Sequence, residues 1–247
     1  MSNFAIVIPA YNETLTITQV VDQALTLTPF VIVVNDASQD DTAELVRKTT
    51  AILVDLPLNA GKATALQAGF ERALSLGVEA IITLDGDAQH DPLDAPKLLA
   101  HFAKHPNDLC IASRLKDRQN APRSRRIANS IADFWVSWAA GQPIADSQSG
   151  FRLYPASLLK ALDFPYKNRS GFVFESEVLV DAAHLDYHFV FIPIETVYAE
   201  DRRASHFRAG FDITQITLMV AKKLLKKGMN LPGLVRSIRQ KPTIIED

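Results

Sequence analysis

Two aspartates one residue apart close an apolar run in this chain, in the stretch Leu84-Asp85-Gly86-Asp87-Ala88-Gln89-His90-Asp91-Pro92. Carboxylates are hard oxygen ligands, and Gly86 lets the backbone bend so that both can face one point. Such donors suit Mg2+ or Mn2+, which typically bridges to substrate phosphates. Gln89 would complete the set, so Asp85, Asp87 and Gln89 are the candidate metal ligands. His90 is a softer ligand type, but it is better read as a histidine at a helix start or on the surface.

A lone pair of this kind is common. Its weight comes from other polar clusters that also follow apolar runs. Pro9-Ala10-Tyr11-Asn12-Glu13 follows Phe4–Ile8, where Pro9 is expected to end a strand and Asn12 to turn the chain. Asn35-Asp36-Ala37-Ser38 follows Phe30–Val34. Asp36 at that tip can accept a hydrogen bond from a base or ribose, while Ser38 or Asp40 would cap the next helix. Asn59-Ala60-Gly61-Lys62 follows Ile52–Leu56. Gly61 suits a positive φ or a close backbone approach, and Lys62 would open a helix, where a cation is disfavoured unless an anion lies nearby. Ser113-Arg114 follows Leu109–Ala112 and leads into Lys116, Arg118, Arg123, Arg125 and Arg126. That run reads either as a solvated loop or as an anion site, for which arginine's forked donors are suited.

These clusters need elements to hold them. The five apolar runs Phe4–Ile8, Phe30–Val34, Ile52–Leu56, Ala80–Leu84 and Leu109–Ala112 are short and read as strands covered on both faces. Helical spacing occupies Thr14–Leu27, Asp41–Thr50, Lys62–Leu76 and Asp94–Lys104. This alternation predicts an α/β fold, a mostly parallel sheet with right-handed crossovers, whose ligands bind beyond the carboxyl ends of the strands. Helices are also expected over Arg123–Ala140, with the aromatic face Phe134, Trp135 and Trp138, and over Val173–Leu185 and Phe211–Lys227. His188–Val197 alternates like a strand, with Pro193 favouring an edge or a bulge. A basic tail would follow. No repeat or linker is visible, so residues 1–247 are expected to form one domain in three stretches: 1–115, 116–210, and an amphipathic helix with its tail at 211–247.

The 247 residues suffice for one large α/β domain, and 47% hydrophobic with 22% charged residues is a globular composition. A net charge of -2 argues against a nucleic-acid partner. The lone Cys110 sits in an apolar run and is expected to be buried and inert, which fits a reducing compartment. No secretory signal is visible and no stretch reaches the ~18 apolar residues of a spanning helix. The expected location is the cytoplasm, either free or peripheral on the inner face of a membrane. Lys222, Lys223, Lys226 and Lys227, set among Leu218, Met219, Leu224 and Leu225, leave two readings open for residues 211–240: a membrane-surface helix, or one packed on the domain.

In this order the four strand-tip motifs resemble glycosyltransferase family 2, which implies the GT-A form of a Rossmann-like sheet with helices on both faces and a C-terminal acceptor-side extension. Asp85–Pro92, Ser113-Arg114 and Asp146-Ser147-Gln148-Ser149-Gly150-Phe151-Arg152 are most similar to the dolichyl- and polyprenyl-phosphate sugar transferases, and the likeness covers residues from about 4 to 210. The resemblance implies an inverting transfer from a UDP- or GDP-sugar to an acceptor such as a polyprenyl phosphate or other lipid-linked molecule, with residues 1–115 as the nucleotide-sugar half and 116–210 as the acceptor half. Pro9, Tyr11, Asn12, Glu13, Asp36, Gly61, Lys62, Asp85 and Gly86 would line or adjoin the nucleotide pocket. Asp85, Asp87 and Gln89 would hold Mg2+ or Mn2+ against the diphosphate, and Arg114 and Arg126 would meet phosphate near the acceptor. One departure stands in the stretch Arg202–Arg208, where His206 occupies the place of a lysine often found in that branch.

Departure of a nucleoside diphosphate builds negative charge, which the metal, Arg114, and Arg202, Arg203 or His206 on a closing loop would offset. A hydroxyl acceptor needs a general base, for which Asp146, Glu175 and Glu177 are the candidates. Two residues apart on one helix, only one of Glu175 and Glu177 is expected to face the site, the other being solvated. A phosphate acceptor needs no strong base. The rival readings are a sugar-nucleotide nucleotidyltransferase, which should show a glycine-rich first loop, an aspartate-nucleophile phosphatase, and a non-catalytic binding module.

Overall fold

A computed structural model of the chain describes residues 3–114, 123–162, 171–195 and 209–245. Eight strands make one sheet among them: β1 Phe4–Ala10, β2 Val31–Asn35, β3 Ile52–Asp55, β4 Ala80–Thr83, β5 Asp108–Ser113, β6 Arg152–Pro155, β7 His188–Pro193 and β8 Thr243–Ile244. Their order is β3-β2-β1-β4-β6-β5-β7-β8. All pairs are parallel except those of β6, which runs antiparallel between β4 and β5.

The strands are apolar throughout because both faces are covered. Ala5, Val7, Ile32 and Val34 point into one core with α3 (Lys62–Ser75), α5 (Arg123–Ala140), α6 (Ala156–Ala161), α7 (Gly171–His184) and α8 (Ala209–Lys226). Ile6, Ile8, Val31 and Val33 point into a second core with α1 (Ile17–Leu25), α2 (Thr42–Arg47) and α4 (Ala95–Phe102). Gly69 lets α3 lie close on the sheet, since a Cβ there would come within 2.3 Å of Val7 Cγ1. Cys110 is buried in the second core, and burial pushes its thiol up to about 12.

Four expectations need correction. Pro9 does not end its strand: it still pairs in register with Val34, while β4 has already stopped opposite Val7. Pro193 is neither in an edge strand nor at a bulge, since β7 lies between β5 and β8; it is the last residue of β7, beyond the two positions that β8 pairs. The C-terminal stretch is no tail, for α9 (Leu231–Arg239) and the edge strand β8 follow α8. Three left-handed residues turn the chain into α9: Gly228 (φ 63°), Met229 (φ 68°) and Asn230 (φ 40°). The Trp138 indole N–H donates to Met229 O at 3.0 Å, and the Asn230 side chain caps α9 by accepting from the Gly233 amide at 3.2 Å. Finally, β6 and α6 occupy a stretch that periodicity did not resolve.

Candidate active site

The carboxyl ends of β1, β2 and β4 present their polar clusters together, and the loops brace one another. The backbone amide of Asn12 (φ 56°) donates to Ser38 Oγ at 2.9 Å, and its side-chain Oδ1 accepts from the Gln39 amide at 2.8 Å. The Glu13 amide donates to Thr42 Oγ1 at 2.8 Å, and Asp40 accepts from the Thr42 amide at 3.0 Å. The cap of α2 is Asp41 and not Ser38 or Asp40; Asp40 still holds the first helical amide from one residue further out, whereas Ser38 serves Asn12. Asp36 is buried, and its two oxygens take the Ala60 and Gly61 amides, each at 2.8 Å. Gly61 has φ 87° with open space where a side chain would be. The Asp36 carboxylate therefore fixes the loop that launches α3, a role that capping and ribose contact did not foresee.

Lys62 opens α3 and turns into a pair of anions. Its Nζ lies 2.6 Å from Asp85 Oδ1 and 3.0 Å from Glu175 Oε1. The unfavourable helix dipole costs roughly 0.3–1 kcal/mol. A single carboxylate at ~4 Å offsets that several times over, at about 4 kcal/mol for an effective dielectric of ~20. Burial alone would lower the lysine's pKa, but Asp85 and Glu175 outweigh it and hold Lys62 above its ordinary range. Burial likewise pushes the Asp85 carboxyl up, yet Lys62, with His90 and Arg114 behind it, leaves it below its ordinary value. Asp87 goes the other way: burial raises it, and the Asp85 charge raises it further. Glu175 is buried and raised by that burial, partly offset by Lys62 and Arg152.

Gly150 closes this cluster from the side. A Cβ on it would come within 2.8 Å of Asp85 Oδ2, 3.0 Å of Lys62 Nζ and 3.1 Å of Glu175 Oε1. Gly171 gives similar clearance to the stem of Lys62. The Gly150 loop is held by Arg152, which is fully buried and donates to Ser149 O (2.7 Å), Ser147 O (2.8 Å) and Glu175 O (2.8 Å). Gly150 and Arg152 belong to the site's framework and carried no role in the sequence reading. Their one signal was membership of the run Asp146–Arg152.

Other candidates fall elsewhere. Asp146 (φ 50°) is buried and its Oδ2 accepts the Arg114 backbone amide at 2.9 Å, so it braces the chain at Arg114. Arg114 lies near enough for its charge to bear on Asp85, Asp87 and His90. Arg126 is exposed on α5, two turns before Asp133, whose Oδ1 takes the Ser147 amide at 2.9 Å. Glu177 is not brought to the cluster. Two residues on from Glu175 it faces the other side of α7, where it is buried 3.3 Å from Lys223 Nζ. It is therefore not the solvated carboxylate expected, and Lys223, which also meets Asp181 at 2.6 Å, points inward. His90 is buried against Phe151, with ring centroids 5.6 Å apart, and not on the surface. Burial first, then the Arg114 charge, lower it to about 4, so it is neutral. Arg202, Arg203, His206, Lys116 and Arg118 lie outside the described residues.

A divalent cation fits Asp85 and Asp87 in charge and donor type, and the mutual repulsion that raises Asp87 is what such an ion would relieve. Gln89 is set differently from expectation: its Nε2 donates to Asp87 Oδ2 at 2.7 Å and its amide to Oδ1 at 3.1 Å, so it orients that carboxylate. Among the described residues no three acidic, histidine or cysteine side chains form a full metal cage. The remaining ligands would have to come from phosphate and water, as is usual for Mg2+. A cavity of about 620 Å³ lined by Gly77, Glu79, Asn107 and Lys160 lies at the opposite, amino end of the strands and has no part in this chemistry.

Residues 5–162 match the model of the family described as Glycosyl transferase family 2. The UDP-N-acetylglucosamine--dolichyl-phosphate N-acetylglucosaminyltransferase of Methanococcus voltae is 27% identical over 87% of this chain and 94% of its own. The undecaprenyl-phosphate mannosyltransferase of Micrococcus luteus is 28% identical over 78% of this chain and 83% of its own. Among solved structures, glucosyl-3-phosphoglycerate synthase from Mycobacterium tuberculosis superposes with a TM-score of 0.70 at 19% identity, covering 90% of this chain and 79% of that one. That structure is a complex with Mn2+, UDP-glucose and phosphoglyceric acid.

Proposed function

The chain belongs to glycosyl transferase family 2, and from that premise we propose that it moves a sugar, with inversion, from a UDP- or GDP-sugar to a polyprenyl phosphate or other lipid-linked acceptor. The observation that carries the donor half is the meeting of Asp85, Asp87, Lys62 and Arg114 at the strand tips, an acid-and-base cluster built to receive a diphosphate. The relatives named for dolichyl and undecaprenyl phosphate support the acceptor half. A glycosyltransferase assignment leaves the nucleotidyltransferase, phosphatase and binding-module readings without support.

Asp85 and Asp87 are the residues that would hold Mg2+ or Mn2+, and Gln89 would fix Asp87 in place. When bound, the ion supplies Lewis-acid neutralisation of the leaving diphosphate. Lys62 stays charged at every working pH and holds the Asp85 and Glu175 carboxylates in position. Arg114, its backbone braced by Asp146, offers a second cation toward the phosphates. Glu175, buried with one oxygen on Lys62, is the one candidate base that the cluster includes. A phosphate acceptor is already a nucleophile, and Glu175 then acts only on Lys62. A lipid-linked acceptor brings the protein to the inner face of a membrane.

A screen of UDP- and GDP-sugars with lipid extract as acceptor, read by mass spectrometry, tests this. A metal-dependent glycosylated lipid phosphate is expected from one donor class. Turnover of no donor, with nucleotide binding indifferent to Mn2+, would overturn the reading.

A further inference from the structure

The sides of α5 and α9 that look away from the core each carry an apolar stripe among exposed arginines. On α5 the outward stripe is Ile127, Ile131 and Phe134, at spacings of four and three, with exposures of 61%, 42% and 39%. On α9 it is Leu231, Val235 and Ile238, with the same spacing and exposures of 62%, 47% and 67%. Such spacing puts each trio on one side of its helix. Exposed apolar stripes of this kind mark a surface that meets something.

The orientation of α9 is built in. Gly233 faces inward, and a Cβ there would come within 2.3 Å of the Asn230 side chain that caps the helix. Asn230 Nδ2 donates to Trp138 O at 3.2 Å, and Trp138 reaches back to Met229 O. Gly141, at the end of α5, leaves room for Asn230 and Arg236. These contacts leave Leu231, Val235 and Ile238 outward. They also place the start of α9 over the last turn of α5, so that the α5 stripe runs toward that of α9.

Charge says what meets them. From Ile213 to Ile245 the chain has seven lysines and arginines and no acid, although the whole chain carries -2. Lys222, Lys226, Arg239 and Lys241 of this stretch are exposed. A second copy of the chain, docked isologously, would set this basic surface against itself. A neutral apolar partner would leave it unanswered. We propose that the α5 and α9 stripes, with these basic residues, dock the protein on an anionic lipid bilayer. No helix among the described residues is long and apolar enough to cross a membrane, so the contact is interfacial. The α5 stripe starts near the amino end of its helix, where Arg126 is exposed and adds to the basic surface. The docking itself rests on exposure and charge and does not require the acceptor assignment.

Flotation of the full chain with phosphatidylcholine vesicles, with and without phosphatidylglycerol, tests this without any substrate. Binding is expected only with phosphatidylglycerol, and added salt should weaken it. Val235→Gln with Ile238→Gln, Ile131→Gln, and Arg239→Gln with Lys241→Gln should each bind about tenfold more weakly or worse. All these side chains are exposed, so thermal unfolding and donor turnover in detergent should be unchanged; the charge variant keeps the test intact if an apolar one misfolds. Wild-type chain that ignores lipid charge, or variants that float like wild type, would refute the proposal. So would a concentration-dependent dimer in sedimentation that the same variants abolish. A failed donor screen with intact flotation would sink the acceptor reading and leave this one standing.

Discussion

At the level of single residues, the site separates two adjacent carboxyls by what surrounds them. Lys62 holds Asp85 low, while burial and the Asp85 charge hold Asp87 high. A carboxyl raised by folding costs stability once it is ionised, so neutralising it without changing its shape removes that cost. Asp87→Asn should therefore unfold at the same or a higher temperature than wild type at neutral pH. Its turnover of the nucleotide-sugar donor should nevertheless fall by about a hundredfold or more, because one of two hard ligands is gone. Retained turnover, measured as sugar release at saturating Mn2+, would remove Asp87 from the metal site. The need of Lys62 for an anion was legible, since a lysine opening a helix after Gly61 asks for one. That the anions would be Asp85 and Glu175 was not, because Glu175 lies over a hundred positions away and its neighbour Glu177 offered the same chemistry. Only the facing of α7 decides between them.

At the level of elements, short strands and tight loops do the positioning. The five strands of the first half were legible because each is a continuous apolar run ended by polar residues. β6 was not: it is four residues, Arg-Leu-Tyr-Pro, that begin with a buried arginine and end with proline. Its partners come from distant parts of the chain, so local pattern carried no trace of it. The same applies to α9, whose outward stripe is apolar, and to β8, which has two residues. The loop before β6 is where a small change should matter most. Gly150→Ala puts a methyl within 2.8–3.1 Å of Asp85, Lys62 and Glu175, all flexible side-chain tips. Those tips can give way, so the unfolding midpoint should move little. The catalytic geometry cannot, and kcat/KM should drop about a hundredfold, the scale of a 1 Å misplacement. An unchanged kcat/KM would show that Gly150 does not shape the site.

At the level of the whole molecule, the histidine under the site makes stability depend on pH. His90 titrates near 4 in the fold against 6.5 when free. As pH falls below 6.5 the unfolded chain takes up the proton first, so folding loses stability until about pH 4 and no further below it. The shift is worth about 3 kcal/mol. His90→Leu should flatten that slope relative to wild type in metal-free urea titrations between pH 7 and 4. Parallel slopes for the two proteins would show that His90 is not the group responsible.

The antiparallel strand between β4 and β5 also orders events during synthesis. β1 to β4 are contiguous in the sheet and can pair as soon as they leave the ribosome. β5 emerges next but has no neighbour: its place is one strand away from β4, and the intervening strand has yet to be made. Until Arg152–Pro155 arrives, the growing chain carries an unpaired edge on β4 and an unhoused hydrophobic segment at Asp108–Ser113, the combination that invites pairing with another chain. A ribosome that slows just before that point would lengthen the exposure, and one that hurries through it would shorten it. Slow synonymous codons over the roughly forty positions between β5 and β6 are thus expected to lower the fraction of newly made chain that folds, measured as soluble against total protein.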